Sequence, residues 1–293
     1  MSIYVISGLP VAQELRQKGL DVREGRPEPG KKCLRILFLN LMINAEESER
    51  CTIEKLCLPG LDIELTLLHT ASYQYKRGVE HYCRYYLTLD QVREEYFDGM
   101  IINGAPMIPG SEVAFWEEYQ EIERWSRSHA RSGLHICWGA AAAVYHRYQA
   151  EFVYYDEKFL GVHPAEIVRP EEPIFHGMKQ GFPGISSREI GFDPEYIKAR
   201  EAKGLLILAQ TPKNGPTLMK TADSQAIYSL LHFDYDADRL HIEYLRDREK
   251  DPDTLIPHGY YVDDNPSKPY QDYFMENQHL FFANWLRYYV QEK

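Results

Sequence analysis

Apolar residues fall into short unbroken runs separated by stretches with helical spacing. LRILFLNLM (34–42) is a continuous apolar run of strand length, the pattern of a strand buried on both faces of a parallel sheet. IELTLLHT (63–70), GMIIN (99–103) and LHIC (134–137) repeat it. Helical patterns lie between them at 46–58 and at 112–131, the latter anchored by Phe115, Trp116, Tyr119 and Trp125. A further one, GAAAAVYHRY (139–148), follows the strand at 134–137 almost directly. Strand, helix, strand, helix, strand predicts an α/β fold with an open, mostly parallel sheet flanked by helices.

The rest of the chain adds to this core. Residues 10–19 read as a short amphipathic helix with Val11, Leu15 and Leu20 on one side, and 21–32 as a solvated loop. The segment 71–96 is rich in Tyr and charge and has no clear period. Strands near 205–209 and 226–231 extend the sheet. Residues 251–272 hold four prolines and read as a long ordered loop or arm. The last helix, 276–291, carries Leu280, Phe281, Phe282, Trp285, Leu286 and Tyr289 and is expected to dock on the core. No repeat or linker divides the chain. The expectation is one domain over 1–293, with an N-terminal extension (1–33), an α/β core (34–250) and a C-terminal arm and helix (251–293).

Charge and composition narrow the function. The 293 residues carry 33 Lys and Arg against 44 Asp and Glu, a net charge of −11. That argues against general affinity for nucleic acid or anionic membrane, while allowing a local basic pocket. No window approaches 18 apolar residues, and the first residues lack the pattern of a signal peptide, so a reducing cytoplasmic location is expected. The five cysteines are odd in number and irregularly spaced, with no C-x-x-C pair. A zinc ribbon, a redox dithiol and a disulfide scaffold are all disfavoured, and no metal site is expected.

Cys137 stands apart from the other four. It ends an apolar strand and precedes Gly139 and Ala140 to Ala143. Open α/β sheets place their chemistry at the carboxyl ends of strands. A nucleophile on a strand-to-helix turn needs small neighbours, and the helix N-terminus beyond it favours a thiolate. On spacing alone two readings stand: a nucleophile, or a buried cysteine ahead of an alanine-rich helix packed on the sheet. A second cluster, LLHFDYD (230–236), puts His232 at a strand end with Asp234 two residues on. An isolated H-x-D is weak evidence, but paired with the cysteine turn it completes a nucleophile, a base and an orienting carboxylate.

At these residues the chain resembles the homoserine O-acyltransferases, O-acetyl- and O-succinyltransferases built on the class I glutamine-amidotransferase-like (flavodoxin-like) fold. LNLM (39–42), FDGMIINGAP (97–106), CWGAAAAV (137–144), EKFLGV (157–162), HFDYD (232–236), EYLRD (243–247) and HLFFANWLRYYV (279–290) carry the resemblance, in order along nearly the whole chain. It implies a ping-pong reaction. A cysteine thiolate takes an acyl group from acetyl-CoA or succinyl-CoA as co-substrate, with no bound cofactor, and passes it to an amino-acid hydroxyl. It implies Cys137 as nucleophile, His232 as general base and acid, and Asp234 in the third place. Lys158, Ser187, Arg188, Glu243 and Arg246 match residues around the amino-acid substrate. A guanidinium such as that of Arg246 can hold a carboxylate bidentately. An oxyanion hole is expected from N–H groups at Trp138 and around Met107, since Pro106 has none to give. A homodimer in methionine biosynthesis is what the resemblance implies for assembly and pathway.

The chain departs from the family in four places. Asp234 replaces a Glu and is one methylene shorter. Asn44 and Ala45 stand where the family has two lysines. Ile108 occupies the position that helps set acyl choice, and its bulk favours acetyl over succinyl. Ser186 replaces the His of a His-Ser-Arg run. These changes point to a divergent member acting on homoserine or a related hydroxyl such as that of serine. Glutaminase-type amidotransferase chemistry on the same fold and a non-catalytic amino-acid-binding relative are the alternatives.

Overall fold

The computed structural model describes residues 2–75 and 77–291. The outermost residues of the expected single domain, and Lys76 in the Tyr-rich segment, lie outside the described residues. The first third of the chain runs β1 (Ile3–Val5), α1 (Pro10–Gln17), β2 (Val22–Glu24), β3 (Leu34–Leu39), α2 (Ala45–Leu56), β4 (Ile63–Leu68), α3 (Val79–Tyr85) and α4 (Leu89–Val92). It continues through β5 (Phe97–Ile102), α5 (Trp116–His129), β6 (Ala130–Ile136), α6 (Trp138–Tyr148), β7 (Val153–Ile167) and β8 (Phe182–Gly191). Then come α7 (Pro194–Lys198), β9 (Leu205–Thr211), β10 (Gly215–Thr221), β11 (Ala226–Ser229), α8 (Arg239–Arg248) and α9 (Met275–Trp285).

The strands form one sheet in the order β2-β1-β4-β3-β5-β6-β11-β10-β9-β7-β8. From β2 to β11 all neighbours are parallel; from β11 to β8 they are antiparallel. The expected mostly parallel α/β sheet is therefore present. The apolar runs make its centre, where Ile36, Leu37, Phe38 and Leu39 of β3 are fully buried, as a strand covered on both faces requires.

Several segments differ from their sequence reading. Residues 21–32 read as loop, but Val22–Glu24 pairs with β1 as an edge strand. With one inward-facing apolar residue in three, it carries too little pattern to be read. The irregular 71–96 segment contains α3 and α4, the latter started by a capping box between Thr88 and Gln91. The expected helix 112–131 is shorter, because β6 begins at Ala130 directly after α5. The hairpin of β7 and β8 has no counterpart in the sequence reading. Its register shifts between Tyr154 and Phe159, and such a bulge breaks the two-residue period.

The C-terminal helix docks where its aromatic residues predict. Phe281 stacks on Phe233 with centroids 3.8 Å apart. Trp285 is fully buried and donates from Nε1 to Ser132 Oγ at 3.1 Å. Helix α9 passes into a single π-helical turn at Leu286–Val290. Gly99 makes room for it, since a Cβ there would lie 3.0 Å from the Trp285 ring. Among the described residues, no helix is long and apolar enough to cross a membrane.

Candidate active site

The parallel pairing of β6 with β11 brings the two candidate clusters together. Ile136 pairs with Ser229, and the Cys137 N–H donates to the Ser229 carbonyl at 2.7 Å. Cys137 is thus the first residue beyond the paired part of β6, and His232 lies three residues beyond β11 on the neighbouring strand. Cys137 adopts φ 51° and ψ −111°, a conformation costly for a residue with a Cβ. Its carbonyl accepts from Ala141 at 2.9 Å, so α6 starts at once. Gly139 permits the turn: a Cβ there would lie 2.7 Å from the Ile102 carbonyl oxygen and 2.9 Å from that of Asn103. The side chain of Asn103 donates to Asn40 at 2.8 Å and to Ser48 at 2.7 Å, and accepts from the Leu41 N–H at 2.7 Å. These bonds tie the ends of β3 and β5 together beside the turn.

His232 is buried, and its Nδ1 lies 3.0 Å from Asp234 Oδ1. The shorter carboxylate therefore reaches the imidazole. Tyr235 stacks on the ring, with centroids 3.9 Å apart. The His232 N–H donates to the Ile185 carbonyl at 2.9 Å. Its Nε2 has no nitrogen or oxygen partner among the described residues and lies on the side of the Cys137 sulfur. Burial alone opposes the charged imidazolium, but the adjacent sulfur and Asp234 outweigh it and push His232 up to about 10. Gly104 borders both groups: a Cβ there would sit 3.8 Å from the sulfur and 3.9 Å from His232 Cε1.

The helix beginning at Trp138 turns its N-terminal end, with its positive dipole, toward the strand ends. The Trp138 ring is buried against Tyr119 at 4.9 Å. The Met107 N–H donates to the Ala105 carbonyl at 2.9 Å, so here it is engaged within its own turn. Met107 and Ile108 have exposed side chains.

Arg188, on β8, is buried. One nitrogen, Nη1, donates to the Tyr155 hydroxyl at 2.6 Å and to the Ile190 carbonyl at 2.7 Å. Its Nε and Nη2 have no hydrogen-bond partner among the described residues. A buried guanidinium without a carboxylate is costly, and burial lowers its pKa despite support from Tyr155 and the Cys137 sulfur. Glu243, on α8, is buried too. Its Oε2 accepts from Ser187 Oγ at 3.1 Å, and its Oε1 from Tyr235 at 2.8 Å and Arg239 Nε at 3.0 Å. Arg246, one helical turn on, is half exposed and pairs with Asp247 at 2.8 Å. Lys158 is half-buried in the bulged stretch of β7, and its charge acts on Asp247.

The structure links Cys137, His232, Asp234, Ser187, Arg188 and Glu243: Ser187 bonds to Glu243, Glu243 to Tyr235, Tyr235 stacks on His232, His232 pairs with Asp234, and the Cys137 sulfur acts on both His232 and Arg188. It sets Met107, Ile108 and Arg246 at more exposed positions. Sequence reasoning missed Gly104, Tyr235 and Arg239. The four-residue spacing of Arg239 and Glu243 on one helix was the signal available for the last of them. Among the described residues, no group of three His, Cys, Asp or Glu is placed to hold a metal ion.

A mostly parallel sheet flanked by helices defines a class of α/β folds, and solved structures share that fold with this chain. A glutamine amidotransferase from Thermotoga maritima superposes with a TM-score of 0.56 at 15% identity, covering 88% of this chain and 98% of its own. A glutamine amidotransferase from Methylobacillus flagellatus gives 0.53 at 11%, covering 89% and 96%. At these identities the likeness is one of fold. Sequence comparison goes further. The family model described as homoserine O-succinyltransferase matches residues 2–293. The homoserine O-acetyltransferase of Streptococcus pneumoniae (strain Hungary19A-6) is 33% identical, over 100% of this chain and 94% of the relative. That of Lactococcus lactis subsp. cremoris (strain MG1363) is 32% identical, over 99% and 92%. The chain belongs to the homoserine O-acyltransferase family.

Proposed function

We propose that this protein moves an acyl group, acetyl in preference to succinyl, from acyl-CoA to the hydroxyl of homoserine or a related amino acid such as serine, through an acyl-enzyme on Cys137. One observation carries the reading. The strained Cys137 lies beside the His232–Asp234 pair, and its sulfur acts on a buried guanidinium, Arg188, that has two nitrogens free of partners among the described residues.

In the first half-reaction the Cys137 thiolate attacks the thioester carbonyl. The N–H of Trp138 and the helix end behind it support the developing oxyanion. The carbon–sulfur bond to CoA breaks, and His232, held protonated, gives its proton to the departing thiolate. In the second half-reaction neutral His232 takes the proton of the acceptor hydroxyl. The hydroxyl oxygen attacks the acyl-enzyme, and the Cys137 sulfur leaves as thiolate beside the restored imidazolium. Asp234 keeps Nδ1–H pointed at itself and Nε2 toward the sulfur. Arg188 offers the acceptor's carboxylate two donors in a buried place, and Glu243 with Ser187 meets its ammonium. Arg246 and Lys158 lie at the rim. The relatives named O-acetyltransferases support acetyl as the donor group, as does the bulk of Ile108.

The test is intact-protein mass spectrometry after incubation with acetyl-CoA alone. An acetyl adduct is expected, absent from Cys137→Ala and discharged by homoserine as the O-acetyl ester. No adduct with acetyl-, propionyl- or succinyl-CoA would overturn the proposal. Ammonia release from glutamine would instead favour amidotransferase chemistry.

A further inference from the structure

Glu243 is held by more than its substrate role requires. Its Oε1 takes hydrogen bonds from Tyr235 and from Arg239 Nε, four residues earlier on α8. Arg239 does not end there: its Nη1 pairs with Glu47 on α2. Glu47 is fixed in turn by Asn44, the N-cap of α2. The Asn44 Oδ1 accepts from the Glu47 N–H at 3.4 Å, and its Nδ2 donates to Glu47 Oε2 at 3.1 Å. The chain Asn44–Glu47–Arg239–Glu243–Ser187 therefore runs from the first loop after β3 to the middle of β8. The Arg239 guanidinium also lies over the Tyr235 ring, 5.5 Å from its centroid, and Tyr235 stacks on His232. Asn44, Glu47, Asp234, Tyr235 and Arg239 line one small cavity.

We propose that Arg239 is a positioning residue for the acceptor: by bridging Glu47 and Glu243 it fixes the carboxylate that receives the acceptor's ammonium. The inference rests on the acceptor role given to Glu243 above. Charge and geometry both support it. Two carboxylates and one guanidinium leave one net negative charge, which one ammonium balances. A guanidinium can present Nε to one carboxylate and Nη1 to another at once, whereas a lysine offers a single point charge. Asn44 holds Glu47 where it meets the guanidinium on α8.

The experiment compares wild type with Arg239→Met, Arg239→Lys and Glu47→Gln in two assays. In the first, acyl-enzyme formation from acetyl-CoA is followed by mass, then discharge against homoserine concentration. Arg239→Met is expected to acylate at the wild-type rate, which also reports an intact fold. Its KM for homoserine is expected to rise about tenfold, with a smaller change in kcat, because a charge-assisted hydrogen bond to the binding carboxylate is lost. Arg239→Lys and Glu47→Gln are expected to fall between. An unchanged homoserine KM in Arg239→Met overturns the inference, and so does a parallel loss of acylation, which marks a purely structural role. The second assay is homoserine binding by calorimetry, which needs no turnover. If wild type forms no acyl-enzyme, the proposed function fails, but weaker homoserine binding by Arg239→Met still supports the positioning role. Equal binding by the two, or none by wild type, overturns it.

Discussion

Replacing Cys137 by alanine and by glycine gives two variants without the thiol that differ in backbone freedom alone. In an ordinary place glycine is the less stable, by roughly 0.5–1 kcal/mol, because it loses more chain entropy on folding. At φ 51° and ψ −111° the order is expected to reverse. Holding a residue with a Cβ in so sparsely populated a region costs on the order of 1–3 kcal/mol, and glycine removes that cost. The difference favours the glycine variant by about 1 kcal/mol. For a chain of this size that is a rise of about 2 °C in melting temperature. Urea unfolding followed by circular dichroism should show a higher midpoint for Cys137→Gly than for Cys137→Ala at equal slope, with both inert toward acetyl-CoA. A glycine variant that unfolds at or below the alanine variant would refute the claim that the turn stores strain.

His232 should titrate near pH 10 by imidazole proton NMR, and lower in Cys137→Ala, where the sulfur no longer supports its charge; a midpoint near 6.5 in wild type would contradict the paired arrangement. Because its folded pKa is raised above the ordinary 6.5, its contribution to stability is fully present below that pH and is lost as pH climbs toward about 10. Urea midpoints should fall over that window more in wild type than in His232→Gln. Asp234→Asn should cut turnover on the order of 10²-fold or more by releasing the imidazole orientation, with little change in melting temperature. Gly139→Ala should destabilise by about 1–3 kcal/mol, since its Cβ meets backbone carbonyls that cannot yield. Gly104→Ala should fold normally, the nearest atom to its Cβ being 3.4 Å away, yet acylate slowly because the methyl fills the approach to the sulfur. Equal melting temperatures for Gly139→Ala and wild type would count against the turn as described.

The parallel half of the sheet is legible because burial on both faces leaves unbroken apolar runs, as in Leu34–Leu39 and Phe97–Ile102. Cys137 is legible for a related reason: a strand end followed by Gly139 and alanines suits a tight turn onto a helix and little else. The antiparallel half is not legible. Strand β7 opens on Val153, Tyr154, Tyr155, Asp156 and Glu157, mostly exposed, and its bulge shifts the alternation partway along. Asp234 can be named from its spacing to His232, but its adequate length is a matter of backbone placement. The role of Arg239 depends on Glu47, 192 residues earlier (239 − 47), and no local pattern encodes a pairing of that kind. In sequence Arg246 is the residue matched to a carboxylate, and Arg188 only a neighbour of the site. Burial favours the other choice, since Arg188 is enclosed and Arg246 is half exposed on Asp247.

The docking of α9 has a consequence in time. Gln278 reaches the His232 carbonyl at 3.4 Å, Phe281 lies flat on Phe233, and Trp285 bonds to Ser132 across 153 residues of chain. A ribosome adding about 5–20 residues per second needs on the order of ten seconds to go from Ser132 to Trp285. In the later part of that interval β6 and α6 have been made, but the residues that pack behind His232 have not. The strand ends that carry Cys137 and His232 therefore wait for the last helix of the chain before they gain their backing.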